Sequence, residues 1–257
     1  MRKTTRNTLL LALAVVALGV GVYAEIRREE GLLPKPLTTI DPQNVKSVTI
    51  EATGVSTRRF EHRANGWWMT KPYPLRAEAE VIPRLLNVLS APVRKTLDAK
   101  EYDLANLGLD KPGVTLNVDG AILEFGGEDP IDHDRYVRTG GKIVRIPDRF
   151  AMRLSESPEV EIDRHLIDPE ATVVEVGIDG AAPRADLAEA WKKTVPLQIL
   201  PGPSSANTKA LVELADGTKL EFSIGRQNDS YSVYRSDIDL LYVVGEAQAQ
   251  ALLGKAN

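Results

Sequence analysis

Two stretches of the chain read alike: Val114-Thr115-Leu116-Asn117-Val118-Asp119-Gly120-Ala121-Ile122-Leu123-Glu124-Phe125 and Leu211-Val212-Glu213-Leu214-Ala215-Asp216-Gly217-Thr218-Lys219-Leu220-Glu221-Phe222. Each sets apolar and β-branched residues on either side of an Asp-Gly pair. That is a hairpin pattern, because Asp and Gly both tolerate the left-handed backbone angles of a tight turn. Both end on Leu-Glu-Phe, 97 residues apart. Downstream, Arg135-Tyr136-Val137-Arg138 answers Tyr231 to Arg235, Lys142 to Ile146 answers Leu240 to Val244, and a helix after Asp148 answers one from Glu246 to Leu253. Upstream, Trp68-Met69-Thr70-Lys71-Pro72 answers Trp191 to Pro196 at an offset of 123, longer by 26. One deletion in the second half accounts for the difference, and the helix from Ala77 to Ala91 with its flank is the expected missing piece. The fold expected is α+β and β-rich: two diverged copies of an antiparallel strand-hairpin unit with few helices. The first copy spans 40–168 and the second, trimmed copy 169–257.

The remaining elements follow from periodicity. Val45 to Ile50 is a strand. Arg59 to Arg63 and Trp67 to Thr70 flank Ala64-Asn65-Gly66 as a second hairpin. Val81, Ile82, Leu85, Leu86 and Leu89 fall on one helical face. Pro83 requires that this helix start near Ala79 or Glu80, where the first turn has no use for its N–H groups, and Pro92 ends it. A short helix is expected over Asp103 to Leu107, closed by Gly108, and Asp148 is expected to cap the helix through Phe150, Met152 and Leu154. Gly31-Leu32-Leu33-Pro34-Lys35-Pro36 reads as part of a linker over 25–39, since its prolines cannot join a ladder.

The chain has 257 residues, 43% hydrophobic and 26% charged, which excludes a wholly disordered polypeptide. It has no cysteine, which excludes disulfides, a thiolate nucleophile and a cysteine zinc site. Arg2, Lys3 and Arg6 precede an uncharged run from Leu9 to Ala24, the pattern of an export signal or a membrane anchor. The run spans about 24 Å as a helix, near the lower limit for crossing a ~30 Å hydrocarbon core. The favoured reading makes residues 1–24 a cytoplasmic tail and transmembrane anchor. The rival is cleavage after Ala24, freeing Glu25. The protein is thus expected in the bacterial inner membrane, single-pass, with its body in the periplasm and the lipid bilayer as one partner. The formal net charge is −4, and residues 1–24 carry three of the positive charges and no negative ones, so the remaining body is more acidic still. Such a body is not expected to bind nucleic acid.

No catalytic residue, cofactor or metal site is expected. Glu128-Asp129-Pro130-Ile131-Asp132-His133-Asp134 is the densest set of candidate ligands, and a metal-dependent envelope enzyme using Asp132, His133 and Asp134 is the alternative reading. The bland reading is a solvated loop. His62 and His165 stand alone. Neither a Gly-x-Ser-x-Gly elbow nor His-Glu-x-x-His occurs. Pro201-Gly202-Pro203-Ser204-Ser205-Ala206-Asn207-Thr208-Lys209 lacks the glycine a phosphate loop places before its lysine, and reads as a connection. Trp68 and Trp191 are expected in equivalent places in the two cores. Trp67, alternating with Trp68, is the residue that would face a partner. Asp168-Pro169-Glu170 is expected to mark the boundary between copies.

Several segments in order carry a family resemblance: Asn65-Gly66-Trp67-Trp68 leading to Lys71-Pro72, the Leu85-Leu86 helix, Leu104-Ala105-Asn106-Leu107-Gly108-Leu109-Asp110-Lys111-Pro112, Phe125-Gly126, Arg135-Tyr136-Val137-Arg138 and Asp163-Arg164-His165-Leu166. Over residues 40–250 the chain resembles the bacterial domain-of-unknown-function family 4340, and Gly108-Leu109-Asp110-Lys111-Pro112 is the most specific piece. The resemblance implies an N-terminal anchor, a duplicated extracytoplasmic domain and a membrane protein complex as partner, with subunits of an ABC-type transporter of the gliding-motility kind expected. It implies no established activity. The second half lacks a clear Gly-Leu-Asp-Lys-Pro segment. A small-molecule or polysaccharide binding module between the copies is a further alternative.

Overall fold

The computed structural model describes residues 34–203, 206–227 and 230–255. The anchor or signal over 1–24 lies outside the described residues. Among the described residues, no helix is long and apolar enough to cross a membrane.

Fifteen described strands form two antiparallel sheets joined by short helices. The first half contains β1 (Ser47–Ala52), β2 (Arg58–Arg63), β3 (Gly66–Lys71), β4 (Leu75–Arg76), α1 (Val81–Leu86), β5 (Lys95–Leu97), β6 (Val114–Val118), β7 (Ala121–Glu128), β8 (Asp134–Thr139), β9 (Lys142–Pro147) and α2 (Ala151–Leu154). The second contains β10 (Val173–Ile178), α3 (Ala188–Lys193), β11 (Gln198–Pro201), β12 (Thr208–Leu214), β13 (Lys219–Gln227), β14 (Ser230–Arg235), β15 (Leu240–Val244) and α4 (Glu246–Leu252). Strand order is β4-β3-β2-β1-β6-β7-β8-β9-β5 in one sheet and β10-β12-β13-β14-β15-β11 in the other. Without β2, β3 and β4 the two orders are the same. In each half a first strand leads through a helix to an edge strand on the far side, and a four-strand meander returns to the first strand. The sheets therefore have a repeat-like arrangement, and the two quoted hairpins occupy matching places, β6–β7 and β12–β13.

The expected missing piece is corrected by this topology. The second half keeps a helix before its edge strand and lacks the β2–β4 meander instead. Trp68 lies on β3 and Trp191 on α3, so the two are not equivalent. Their offset misled because both precede a Thr and a Pro at similar spacing.

Three local expectations also change. Ala77 and Glu78 do not join the helix: the Ala77 N–H donates to the Trp67 carbonyl and the Glu78 N–H to that of Glu161. The α-helix runs only from Val81 to Leu86, with a 3₁₀ turn at Asn87–Ser90, and Pro83 keeps to the first turn. Residues 103–108 form tight turns rather than a helix, with Gly108 at φ +65°. Asp148 pairs with Arg135 and does not cap α2.

The core is continuous across both sheets. Ile82, Leu85, Leu86 and Leu89 bury one face of the α1 segment as the spacing requires. Trp191 is fully buried 5.0 Å from Phe222, and its indole N–H donates to the Leu252 carbonyl at 3.0 Å. A smaller cluster, Leu97, Leu107, Leu109 and Ile143, lies on the opposite face of β9 beneath the segment that carries Gly108-Leu109-Asp110. The Leu107 carbonyl presses on β7 there and accepts the Gly127 N–H at 2.7 Å. A Cβ on Gly126 would stand 2.4 Å from that carbonyl oxygen. Phe125-Gly126 and the Gly108 segment are thus one packing device.

Part of the expected linker is structured. Leu37 is buried, Pro36 bridges Pro92, and the strip 35–38 hydrogen-bonds along residues 89–93. Residues 161–163 lie along β4, with Ala77 bridged to Ile162 and the Asp163 N–H donating to the Arg76 carbonyl.

Candidate functional site

Strand alternation on β3 turns Trp67 inward and leaves Trp68 half-buried, the reverse of the expected facing. Trp67 packs on His62 at a ring separation of 4.9 Å, which gives that histidine a packing role. Trp68 sits at the junction of the sheets. Its N–H donates to Asn65 Oδ1 at 3.0 Å, and the guanidinium groups of Arg63 and Arg76 lie 4.7 and 5.3 Å from its ring centre. Such stacking holds a large aromatic in place at a wet surface.

Around Trp68 opens a cleft of about 260 Å³, bordered by Arg76 from β4, Asp163, His165 and Asp168 from the connection between sheets, and Asp216 and Arg235 from the second sheet. Arg76 reaches Asp168 at 3.2 Å and Glu170 at 2.8 Å. Asn65 donates to Glu170 at 2.8 Å, and with Arg76 it holds that carboxyl below the usual range. The His165 ring meets Asp163 at 2.7 Å. Asp168 and Glu170, expected only to mark a boundary, therefore brace the cleft. Arg76, Asp216 and Arg235 were not singled out in the sequence. Asp216 lies in the quoted Asp-Gly turn, but nothing local says that its turn faces β3. The arrangement offers a fixed indole among prepaid charges, which suits recognition.

The 128–134 loop is brought together differently from a metal site. Asp129 accepts the Tyr136 hydroxyl at 2.5 Å, the N–H groups of Ile131 and Asp132, and Arg145 at 3.0 Å. The Tyr136 hydrogen bond first, then the Asp132 N–H, hold its carboxyl far below the usual carboxylate range. Arg145 also takes Asp132, Arg94 takes Asp134, and His133 turns away to Glu128. Among the described residues no group of three or more His, Cys, Asp or Glu is placed to hold a metal ion. The 201–209 segment joins β11 to β12; residues 204 and 205 lie outside the described residues.

No curated protein and no solved structure matches the chain. A family model does, over a shorter stretch than the motifs suggested, from β3 to within β10. Residues 67–176 match the family described as Domain of unknown function (DUF4340), the family whose motifs the sequence carries.

Proposed function

We propose that the protein is a membrane-tethered accessory protein whose two-sheet body binds a protein partner outside the cytoplasm, without catalysis of its own. The partner expected is a membrane complex of the ABC-transporter type. The observation that carries this reading is the convergence of Trp68, Asp163, His165 and Leu166, all from family-resembling segments, on one cleft at the sheet junction. The basic, then apolar, N-terminal sequence supports the tether. At about 260 Å³ the cleft is smaller than the ~300–1,000 Å³ typical of small-ligand pockets, which favours a docking surface over a sequestered ligand. Lining carboxylates (Asp163, Asp168, Asp216) exceed lining guanidiniums (Arg76, Arg235), so the partner's face is expected to be basic.

Copurification of the full chain in mild detergent tests this. A transporter subunit should travel with the wild type and be lost with Trp68→Ala. If no membrane subunit copurifies, or if Trp68→Ala retains it, the reading fails.

A further inference from the structure

The chain leaves the first sheet through residues 155–163, and this stretch is lightly held. Its backbone N–H groups at Ser155, Glu156, Val160 and Glu161 close only local turns. Among the described residues, two backbone bonds tie it to another element: Glu78 N–H to the Glu161 carbonyl at 2.9 Å, and Asp163 N–H to the Arg76 carbonyl at 2.8 Å. Pro158 and Ile162 add buried apolar surface. The remaining polar ties to other elements both end on carboxylates. Glu161 meets Arg58 of β2, and Glu159 accepts the Tyr73 hydroxyl at 2.5 Å.

Charge is out of balance around these ties. The charged groups acting on Glu161 are Arg58 from β2, and Glu156 and Glu159 from its own segment. From α2 the Leu154 carbonyl accepts the Arg58 guanidinium, and from the β3–β4 connection Tyr73 serves Glu159. Three carboxylates thus share one guanidinium. Glu161 is fully buried and its Oε2 has no partner among the described residues, so the site suits a neutral carboxyl better than a charged one. The same stretch ends in the Trp68 cleft, where Asp163 and Arg76, joined by their backbone bond, form part of the border.

We propose that residues 155–163 act as a proton-operated latch on β4. With Glu161 neutral the strip stays fastened. With Glu161 charged it releases more readily, drawing Asp163 away from Arg76 and dismantling that border of the cleft. The fastened strip holds the Glu161 proton up to about 7, whereas release returns the carboxyl to water and its ordinary 4.5. Fastening is therefore favoured at low pH. Release gains about tenfold per pH unit between about 5 and 7, about 300-fold in all, and nothing more above that. The latch deepens the docking reading, because it regulates the same cleft, but it resides in this chain alone.

Native-state hydrogen exchange of the full chain in detergent, corrected for the intrinsic effect of pH, tests it at the Glu78 and Asp163 amides. Both should exchange at least tenfold faster than the amides of β13, a strand paired on both sides, because the strip opens without unfolding the sheets. Their opening should rise about tenfold per pH unit from about 5 to 7 and then level off. Glu161→Gln should keep the faster exchange and abolish the rise. Exchange no faster than that of β13 overturns the latch, since the strip would then open only with the whole fold. So does opening that is equal at pH 5 and 7, or a rise that survives Glu161→Gln. A latch found in a chain that copurifies with no membrane subunit would sink the docking reading and leave the latch standing.

Discussion

Glu161 and Arg58 are both fully buried and meet at 2.7 Å, yet Glu161 Oε2 and Arg58 Nε find no hydrogen-bond partner among the described residues. Burial pushes the Glu161 carboxyl up from 4.5 to about 7, against the pull of Arg58 and helped by Glu156 and Glu159 nearby. The folded protein therefore holds this proton more tightly than the unfolded chain. Stability from this group is greatest at low pH, falls as pH rises from about 4.5 to about 7, and is flat above that, a change on the order of 3 kcal/mol. Glu161→Gln should remove that slope from a plot of melting midpoint against pH. Glu161→Leu alone should cost about 3–5 kcal/mol in urea unfolding by stranding Arg58, and adding Arg58→Met should recover most of it. None of this was legible in the sequence, because the partners lie 103 residues apart and charge pairing at that range depends on tertiary structure. Trp67 and Trp68 were legible as a strand pair, but not which one faces in.

Elements were read best where backbone chemistry is local. Asp-Gly and Gly-Gly turns with period-two strands placed β6 through β9 and β12 through β15 within a few residues. The α1 helix was overextended because its pattern continues to Ala77 while distant carbonyls, those of Trp67 and Glu161, take the N–H groups of Ala77 and Glu78. The Gly108 segment was visible as a motif, but its partner was not. Gly126 accommodates the Leu107 carbonyl, and an added methyl would press on that backbone oxygen and on the buried Leu109 side chain. Gly126→Ala should destabilise by about 1–3 kcal/mol in chemical unfolding, whereas Gly120→Ala, which meets no neighbour but sits at φ +90°, should show only the smaller cost of its turn.

At the scale of the whole molecule, repetition was legible and its trimming was not, since sequence spacing alone cannot tell a lost helix from a lost meander. One core spans both sheets, so calorimetry should show a single transition, with calorimetric and van't Hoff enthalpies in agreement. Trp191→Ala should cost about 3–5 kcal/mol and lower that one midpoint by on the order of 10 °C rather than split it. The candidate site shares this dependence on assembly: Trp68, Asp163 and Arg235 come from separate strands and a connection, so no window of sequence shows them together. The strip 161–163 has one more effect. By lying along β4 it blunts the end of the nine-stranded sheet. A proteolytic nick between residues 155 and 165 would uncap that end, and uncapped molecules can stack edge to edge into filaments, so the integrity of this short strip guards the protein against polymerising.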